Sequence, residues 1–174
     1  MAPEVPRSRV RWRWLFLALA VIALGAFVIW GSTPAQPMPE ALAAMQSSDA
    51  VLVTAQGSLI TFTPASGTAQ RGLVFYPGGR VDPRAYAPAA RALAERGIVV
   101  VIVRMPLNLA VLAPNRAGRV VAAQPQLSWV VGGHSLGGAM AAAYARANPD
   151  AVSGLLLWAA YPASSASLAE SDVA

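Results

Sequence analysis

The 174-residue sequence contains no cysteine, no lysine and only one histidine. The absence of cysteine excludes a disulfide framework, thiolate metal sites and a cysteine nucleophile. A single histidine also argues against a histidine-based zinc site, because such a site needs several nitrogen ligands. We therefore expect no metal and no other cofactor.

Charged residues are also scarce. They make up 12% of the chain, whereas 56% of the residues are hydrophobic. The net charge of +5 comes largely from four arginines before residue 14, namely Arg7, Arg9, Arg11 and Arg13. The rest of the chain has no basic stripe with interleaved aromatic residues, so nucleic-acid binding is not expected. The chain must instead bury much of itself or enter a membrane.

A long uncharged run lies close to the N-terminus. Residues 14–30 are seventeen uncharged residues, and a helix of that length extends roughly 26 Å at about 1.5 Å per residue. Gly31 and Ser32 bring it nearer to the ~30 Å hydrocarbon core of a bilayer. Tryptophans at positions 12, 14 and 30 lie where indole rings favour the interface. The sequence therefore predicts a transmembrane anchor over residues 14–31.

The position of the arginines predicts the orientation of this anchor. By the positive-inside rule, residues 1–13 are cytoplasmic and the domain lies outside a single-pass anchor in the cell membrane. A cleaved signal peptide, which would export the same domain, and a buried core helix are the alternatives. Residues 32–47 are interpreted as a linker, extended through residue 42 because it contains three prolines. Residues 48–174 form the predicted domain.

Strand-like and helix-like runs alternate in that domain. Strands are expected at 50–54, 58–62, 72–76, 98–103, 127–131 and 154–158, and helices at 83–96 (bent at Pro88), 115–123 and 136–147. A leading hairpin followed by such alternation predicts an α/β fold, with a mostly parallel sheet and helices on both faces.

The pentapeptide Gly133-His134-Ser135-Leu136-Gly137 follows the G-x-S-x-G pattern and lies between a predicted strand and a predicted helix. The pattern indicates a nucleophile elbow, in which a strained serine backbone directs Oγ outward and small flanking residues permit close packing. Ser135 is then the nucleophile of an acyl transfer, and the Leu136 N–H donates to the oxyanion. An ordinary serine in a glycine-rich loop is the alternative.

Residues 74–97, 98–111, 129–145 and 154–163 resemble the α/β-hydrolase superfamily, and most closely its small branch related to the dienelactone hydrolases. The resemblance implies about six of the eight strands of that fold. It also implies that Gly79 donates the second oxyanion N–H, with Arg80 as the next candidate. The family carries its catalytic Asp and His on two further strand–helix units, so we interpret the chain as truncated before them.

The remaining polar residues receive other interpretations. His134 is the immediate neighbour of Ser135 on a tight turn and cannot normally swing round to accept its proton, so it is interpreted as a packed or hydrogen-bonded neighbour. Arg80 either holds an anionic substrate group or is an ordinary exposed arginine. Arg104 and Asn108 are interpreted as turn residues. Glu170 and Asp172 lie in a short polar tail and are not assigned as the triad acid.

Two functions follow from these interpretations. The first is a membrane-anchored serine hydrolase acting on a carboxylic ester, a lactone or a related small acyl substrate, incomplete and inactive as this chain. The alternative is a catalytically dead, hydrolase-like module that binds a lipid or a partner protein at the membrane. A protein partner could then complete the open sheet edge at residues 154–158.

Overall fold

A computed structural model of the chain describes residues 7–166 and residue 173, with side-chain surroundings from residue 12 onward. Glu170 and Asp172 lie outside the described residues. The helices are α1 (Arg7–Ser32), α2 (Pro39–Ala43), α3 (Ala87–Ala94), α4 (Ala117–Ala123) and α5 (Leu136–Ala147). The strands are β1 (Val51–Gln56), β2 (Leu59–Pro64), β3 (Arg71–Tyr76), β4 (Ile98–Val103), β5 (Ser128–His134) and β6 (Gly154–Trp158).

The six strands form one sheet in the order β1-β2-β4-β3-β5-β6. The β1–β2 and β2–β4 pairs are antiparallel, whereas β4, β3, β5 and β6 run parallel to one another. The predicted α/β fold, with a hairpin leading into a mostly parallel sheet, is confirmed. Strand β4 lies on one side of β3, and the next strand in the chain, β5, lies on the other side. The loops after β3 and β5 therefore flank a switch point in the strand order, where ligands of open α/β sheets usually bind.

Alternate residues of the central strands face two separate hydrophobic layers. On one face, Val74 and Tyr76 of β3 pack with Trp129 and Val131 of β5 beneath α4 and α5. On the other face, Leu73 and Phe75 pack beneath α3. Strands covered on both faces read as continuous hydrophobic runs, which explains the uninterrupted β-branched sequence of β4.

Helix α1 is long and apolar enough to cross a membrane. The qualifying span is Trp12–Ser32, with a mean hydropathy of 2.4, and almost all of it is exposed. A signal sequence near the N-terminus meets the same criterion, so the span alone does not separate the two interpretations.

The predicted extended linker is only partly extended. Residues 39–43 form the short helix α2, in which Pro39 occupies the first turn, where its missing N–H costs no hydrogen bond. Ala41 of this helix is buried. Ahead of α2, Ala35 forms a parallel β-bridge with Val81. This segment therefore packs on the domain rather than separating it from α1.

The helix predicted over 83–96 is shorter and begins differently. Pro83–Tyr86 forms a 3-10 turn, capped by the Asp82 carboxylate, which accepts from the Arg84 N–H at 2.9 Å. The hydrogen bond from the Arg84 side chain lowers the pKa of Asp82 below its ordinary value. Pro88 has no N–H to donate to the Arg84 carbonyl, so an α-helical turn cannot form across this point. Helix α3 therefore starts at Ala87.

The strand before the serine motif is longer than the predicted 127–131. It continues to His134, since Tyr76 pairs with Gly133 and Trp158 pairs with His134. The first two residues of the motif, Gly133 and His134, therefore belong to the sheet. Just before them, β5 packs closely on β6, because a Cβ on Gly132 would lie 2.7 Å from the Leu156 carbonyl oxygen.

Replacing Gly72 with alanine should destabilise the fold. The added Cβ would lie 2.3 Å from Cζ3 of Trp129, a buried ring whose Nε1 donates to the Gln124 carbonyl at 2.9 Å. We expect a loss of about 1–3 kcal/mol in the free energy of unfolding, measured by urea titration of the full chain in detergent. Gly118→Ala is the control, because its Cβ would meet Tyr144 Oη at an ordinary 3.5 Å within α4. Equal stability of the two variants would contradict this packing.

Candidate active site

The carboxyl ends of β3, β4, β5 and β6 meet at one edge of the sheet, which we call the carboxyl edge. Each of these strands is followed by a loop in which a residue other than glycine has a positive φ. These residues are Arg80 (55°), Leu107 (48°), Asn108 (53°), Ser135 (50°) and Ala159 (47°). Such conformations are costly for residues with a Cβ and concentrate at functional sites. The backbone strain thus marks this edge as the candidate site.

Ser135 occupies the junction between β5 and α5 with φ 50° and ψ −122°. Its backbone N–H donates to the Trp158 carbonyl at 3.0 Å, and its carbonyl accepts from Ala139 N–H at 3.1 Å. The strained residue is thereby fixed to β6 on one side and to the first turn of α5 on the other. Its side chain is exposed, which is the geometry a nucleophile requires.

The two flanking glycines of the motif are required by close backbone contacts. A Cβ on Gly133 would lie 2.5 Å from the carbonyl carbon of Gly137 and 2.6 Å from the Tyr76 carbonyl oxygen. A Cβ on Gly137 would lie 2.2 Å from the Tyr76 oxygen and 2.3 Å from that of Pro77. Strand β3, strand β5 and helix α5 can approach this closely only because both side chains are absent.

Gly79 lies against the side chain of Leu136. A Cβ on Gly79 would be 3.3 Å from Cδ2 of Leu136. Both neighbouring amides in the loop after β3 are already used: the Gly78 N–H donates to Tyr86 Oη and the Arg80 N–H to the Asn108 carbonyl, each at 2.9 Å. The Gly79 and Leu136 amides have no acceptor among residues 7–166. The loop therefore leaves Gly79, rather than Arg80, available to an oxyanion.

His134 is held by Tyr86. The Tyr86 hydroxyl lies 2.9 Å from Nδ1 of His134 and also accepts from the Gly78 N–H. The hydroxyl therefore bridges the Gly78 N–H and the imidazole ring. Burial raises the pKa of Tyr86, so the hydroxyl stays protonated at neutral pH. His134 thus connects the elbow to the loop after β3.

Arg80 and Asn108 bind the end of α1. Arg80 Nε donates to the Trp30 carbonyl at 2.9 Å, and Asn108 Nδ2 donates to the Gly31 carbonyl at 2.9 Å. Arg80 is therefore more than an ordinary exposed arginine, since its Nε and Nη2 groups are hydrogen-bonded within the chain. The sequence gives no signal for these contacts, because about fifty residues or more separate the partners. No three His, Asp or Glu side chains come together within residues 7–166, and no metal ligands are assigned there.

The chain belongs to the α/β-hydrolase family, since a sequence profile described as "Alpha/beta hydrolase family" matches residues 72–173. This match begins in β3 and includes the elbow. It does not single out the branch related to the dienelactone hydrolases. A comparison with curated protein sequences found no significant match.

Solved structures share this fold. The protein TT1662 of Thermus thermophilus is 17% identical, with a TM-score of 0.51 over 62% of this chain and 56% of its own. Carboxyl esterase 2 of the fungus Tuber melanosporum is 13% identical, with a TM-score of 0.50 over 64% of this chain and 46% of its own. A bacterial heroin esterase is 20% identical, with a TM-score of 0.49 over 68% of this chain and 47% of its own. The chain spans about half the length of these proteins.

Removing the Tyr86 hydroxyl should destabilise the elbow. Tyr86→Phe leaves the Gly78 N–H and His134 Nδ1 without their shared partner, and we expect a loss of about 1–3 kcal/mol in the free energy of unfolding. Tyr161→Phe is the matched control, because Tyr161 is 83% exposed and should change stability by less than ~0.5 kcal/mol. Urea titration of both variants measures the difference, and equal values would contradict the bridging role.

Proposed function

We propose that this chain carries the nucleophile and the oxyanion hole of a serine hydrolase that acts on a carboxylic ester, a lactone or a related acyl compound. The observation that carries the proposal is the exposed Ser135 at positive φ between β5 and α5, beside the two uncommitted amides of Gly79 and Leu136. Carboxyl esterase 2 of Tuber melanosporum shares this fold, and its name agrees with the proposed substrate class.

In the proposed reaction, Ser135 Oγ gives its proton to a general base, attacks the acyl carbonyl carbon and forms a tetrahedral intermediate. The Gly79 and Leu136 N–H groups donate to its oxyanion, and the N-terminus of α5 adds a favourable dipole. The base returns the proton to the leaving oxygen as the intermediate collapses, which releases the alcohol and leaves an acyl-serine. Water then gives a proton to the base and attacks the acyl carbon, and the return of that proton to Oγ restores the hydroxyl and releases the carboxylic acid.

We assign no general base among the described residues. The chain has one histidine, and its Nδ1 is bonded to Tyr86 within the elbow itself. An adjacent residue held in this way is poorly placed to take the Ser135 proton. We therefore propose that the chain by itself hydrolyses esters at a negligible rate.

We also propose that α1 is retained as a single-pass membrane anchor, with its N-terminus in the cytoplasm and the domain outside. The apolar span Trp12–Ser32 and the arginines before it are features that an anchor and a signal peptide share. One observation favours the anchor. The carbonyls of Trp30 and Gly31 accept side-chain hydrogen bonds from Arg80 and Asn108, and cleavage beyond Gly31 would remove these acceptors.

A hydrolase-like binding module remains the second candidate, and one feature of β6 favours it. Leu156, Leu157 and Trp158 of this strand are partly exposed, and no described strand pairs with its outer edge. Unpaired strands of this kind readily accept another chain. A partner protein at this edge would make the domain a binding module rather than a catalyst.

The nucleophile can be tested in the protein isolated from its native membranes. We expect a fluorophosphonate to add covalently to the peptide that contains Ser135, and Ser135→Ala to lower ester hydrolysis by several orders of magnitude. Ser153→Ala is the control, because this hydroxyl bonds to Ser128 near the amino ends of β5 and β6. Peptide mass spectrometry locates the adduct. An unmodified Ser135 in the native protein would overturn the hydrolase and favour the binding module.

The recombinant 174-residue chain gives a separate prediction. Because its only histidine is engaged by Tyr86, we expect no difference in p-nitrophenyl ester hydrolysis between this chain and its Ser135→Ala variant. The two should match at equal protein concentration in the same detergent. Turnover that Ser135→Ala abolishes would show that a base is already present.

A further inference from the structure

The end of α1 is bound to the loops that surround the candidate site. The Arg80 guanidinium donates to the Trp30 carbonyl at 2.9 Å and to the Thr33 carbonyl at 2.8 Å, and it lies 4.6 Å from the centre of the Trp30 ring. Asn108 Nδ2 donates to the Gly31 carbonyl at 2.9 Å. These donors satisfy carbonyls that a helix C-terminus leaves unpaired, and the arginine complements the negative end of its dipole.

Backbone contacts extend this attachment. Gly31 is buried, and a Cβ there would lie 2.8 Å from Cβ of Leu107. Beyond the helix, the Ala35 N–H donates to the Arg80 carbonyl at 2.7 Å, and the Asp82 N–H donates to the Ala35 carbonyl at 3.0 Å. A helix end fixed on both sides in this way cannot act as a flexible tether.

The strained loop residues are the ones that make the attachment. Arg80, Leu107 and Asn108 all have positive φ, and all three contact residues 30–35. Backbone strain persists only where surrounding contacts hold it in place. The docked helix end supplies such contacts one residue away from Gly79.

The carboxyl edge exposes several large apolar side chains. Its loops expose Val111 (52%) and Leu112 (48%) after β4 and Tyr161 (83%) after β6, and Met38, which follows α1, is 69% exposed. We call these four residues the apolar rim. The loops at the opposite edge expose charged residues, among them Glu95, Arg96 and Asp150.

We propose that the apolar rim is a membrane-docking surface, which rests on the lipid interface of the same bilayer that α1 crosses. This inference rests on the membrane anchoring in the proposed function. In this proposal α1 leaves the bilayer at Trp30–Ser32. The loop after β4, which bears Val111 and Leu112, is bound to Gly31 through Asn108 and Leu107, and Met38 follows the same helix end in the chain, so this part of the rim stays close to the point where the helix emerges. A lipid interface also suits Trp30 and Tyr161, since aromatic residues with a polar atom favour that region.

Labels at the two edges of the domain test the proposal. The chain has no cysteine, so the single substitutions Leu112→Cys and Tyr161→Cys place a fluorescent label on the rim of the otherwise unchanged full chain. Glu95→Cys and Asp150→Cys place it at the opposite edge, which six-residue strands keep roughly 20 Å away. The labelled chains are reconstituted in phosphatidylcholine–phosphatidylglycerol vesicles containing a lipid with a nitroxide on its headgroup. We expect several-fold stronger quenching at the rim positions.

Flotation of the vesicles after carbonate washing reports insertion of α1 separately from the quenching. Equal quenching at all four positions in chains that float would overturn the docking surface and leave the anchor intact. Chains that do not float would overturn the anchor and the docking surface together. Neither measurement involves ester hydrolysis, so a failure of the docking surface can be told apart from a failure of the proposed hydrolase.

A second comparison tests whether the attachment of α1 holds the rim in place. The double substitution Arg80→Ala and Asn108→Ala removes the side-chain donors to the helix end, and it should reduce quenching at a label on residue 112 while flotation persists. Arg96→Ala, at the opposite edge, is the control and should leave quenching unchanged. Unchanged quenching in the double variant would overturn the role assigned to these contacts, provided urea titration shows that the variant is folded.

Discussion

The close approach of α5 to the end of β3 is the contact on which the candidate site depends. Gly133 and Gly137 allow the backbone of the elbow to pass against the carbonyls of Tyr76 and Pro77, where any Cβ would be within 2.7 Å of a backbone atom. This packing fixes where α5 starts and therefore where the Leu136 amide lies. It also brings the Gly79 loop, which continues from Pro77, against Leu136. One backbone contact thus positions the loop of Gly79 and the start of α5, which carry both proposed oxyanion donors.

The loops around the elbow are held by contacts that use up most of their polar groups. The Tyr86 hydroxyl is hydrogen-bonded to the Gly78 N–H and to His134. Arg80 is hydrogen-bonded to the Asn108 carbonyl and to the end of α1. The amides of Gly78 and Arg80 both have an acceptor, whereas the Gly79 amide between them has none among the described residues. The same arrangement explains why His134 is ill suited to be a base. Its bond to Tyr86, which also binds the Gly78 N–H, supports the loop that carries the proposed donor Gly79.

Features that depend on local sequence were predictable, whereas those that depend on distant partners were not. The β-branched run of β4, the hairpin and the alanine-rich α5 follow from composition and periodicity, and the G-x-S-x-G spacing located the elbow. The end of β5 was placed too early, because Gly132 and Gly133 carry no strand propensity and belong to the sheet through their pairing with β6 and β3. The roles of Arg80 and Asn108 depend on residues about fifty or more positions earlier. No local pattern reveals such contacts.

Because the end of α1 is bound to loops of the candidate site, the helix and the site keep a fixed position relative to one another. A flexible linker would let the domain sample all orientations above a bilayer, and the site would then meet chiefly molecules dissolved in water. Arg80, the residue that follows Gly79, instead binds the end of α1, so the helix and the loop after β3 form one unit. If the apolar rim lies in the lipid interface, the proposed nucleophile Ser135 is held close to the bilayer surface, and acyl compounds that partition into the bilayer would reach it before those dissolved in water.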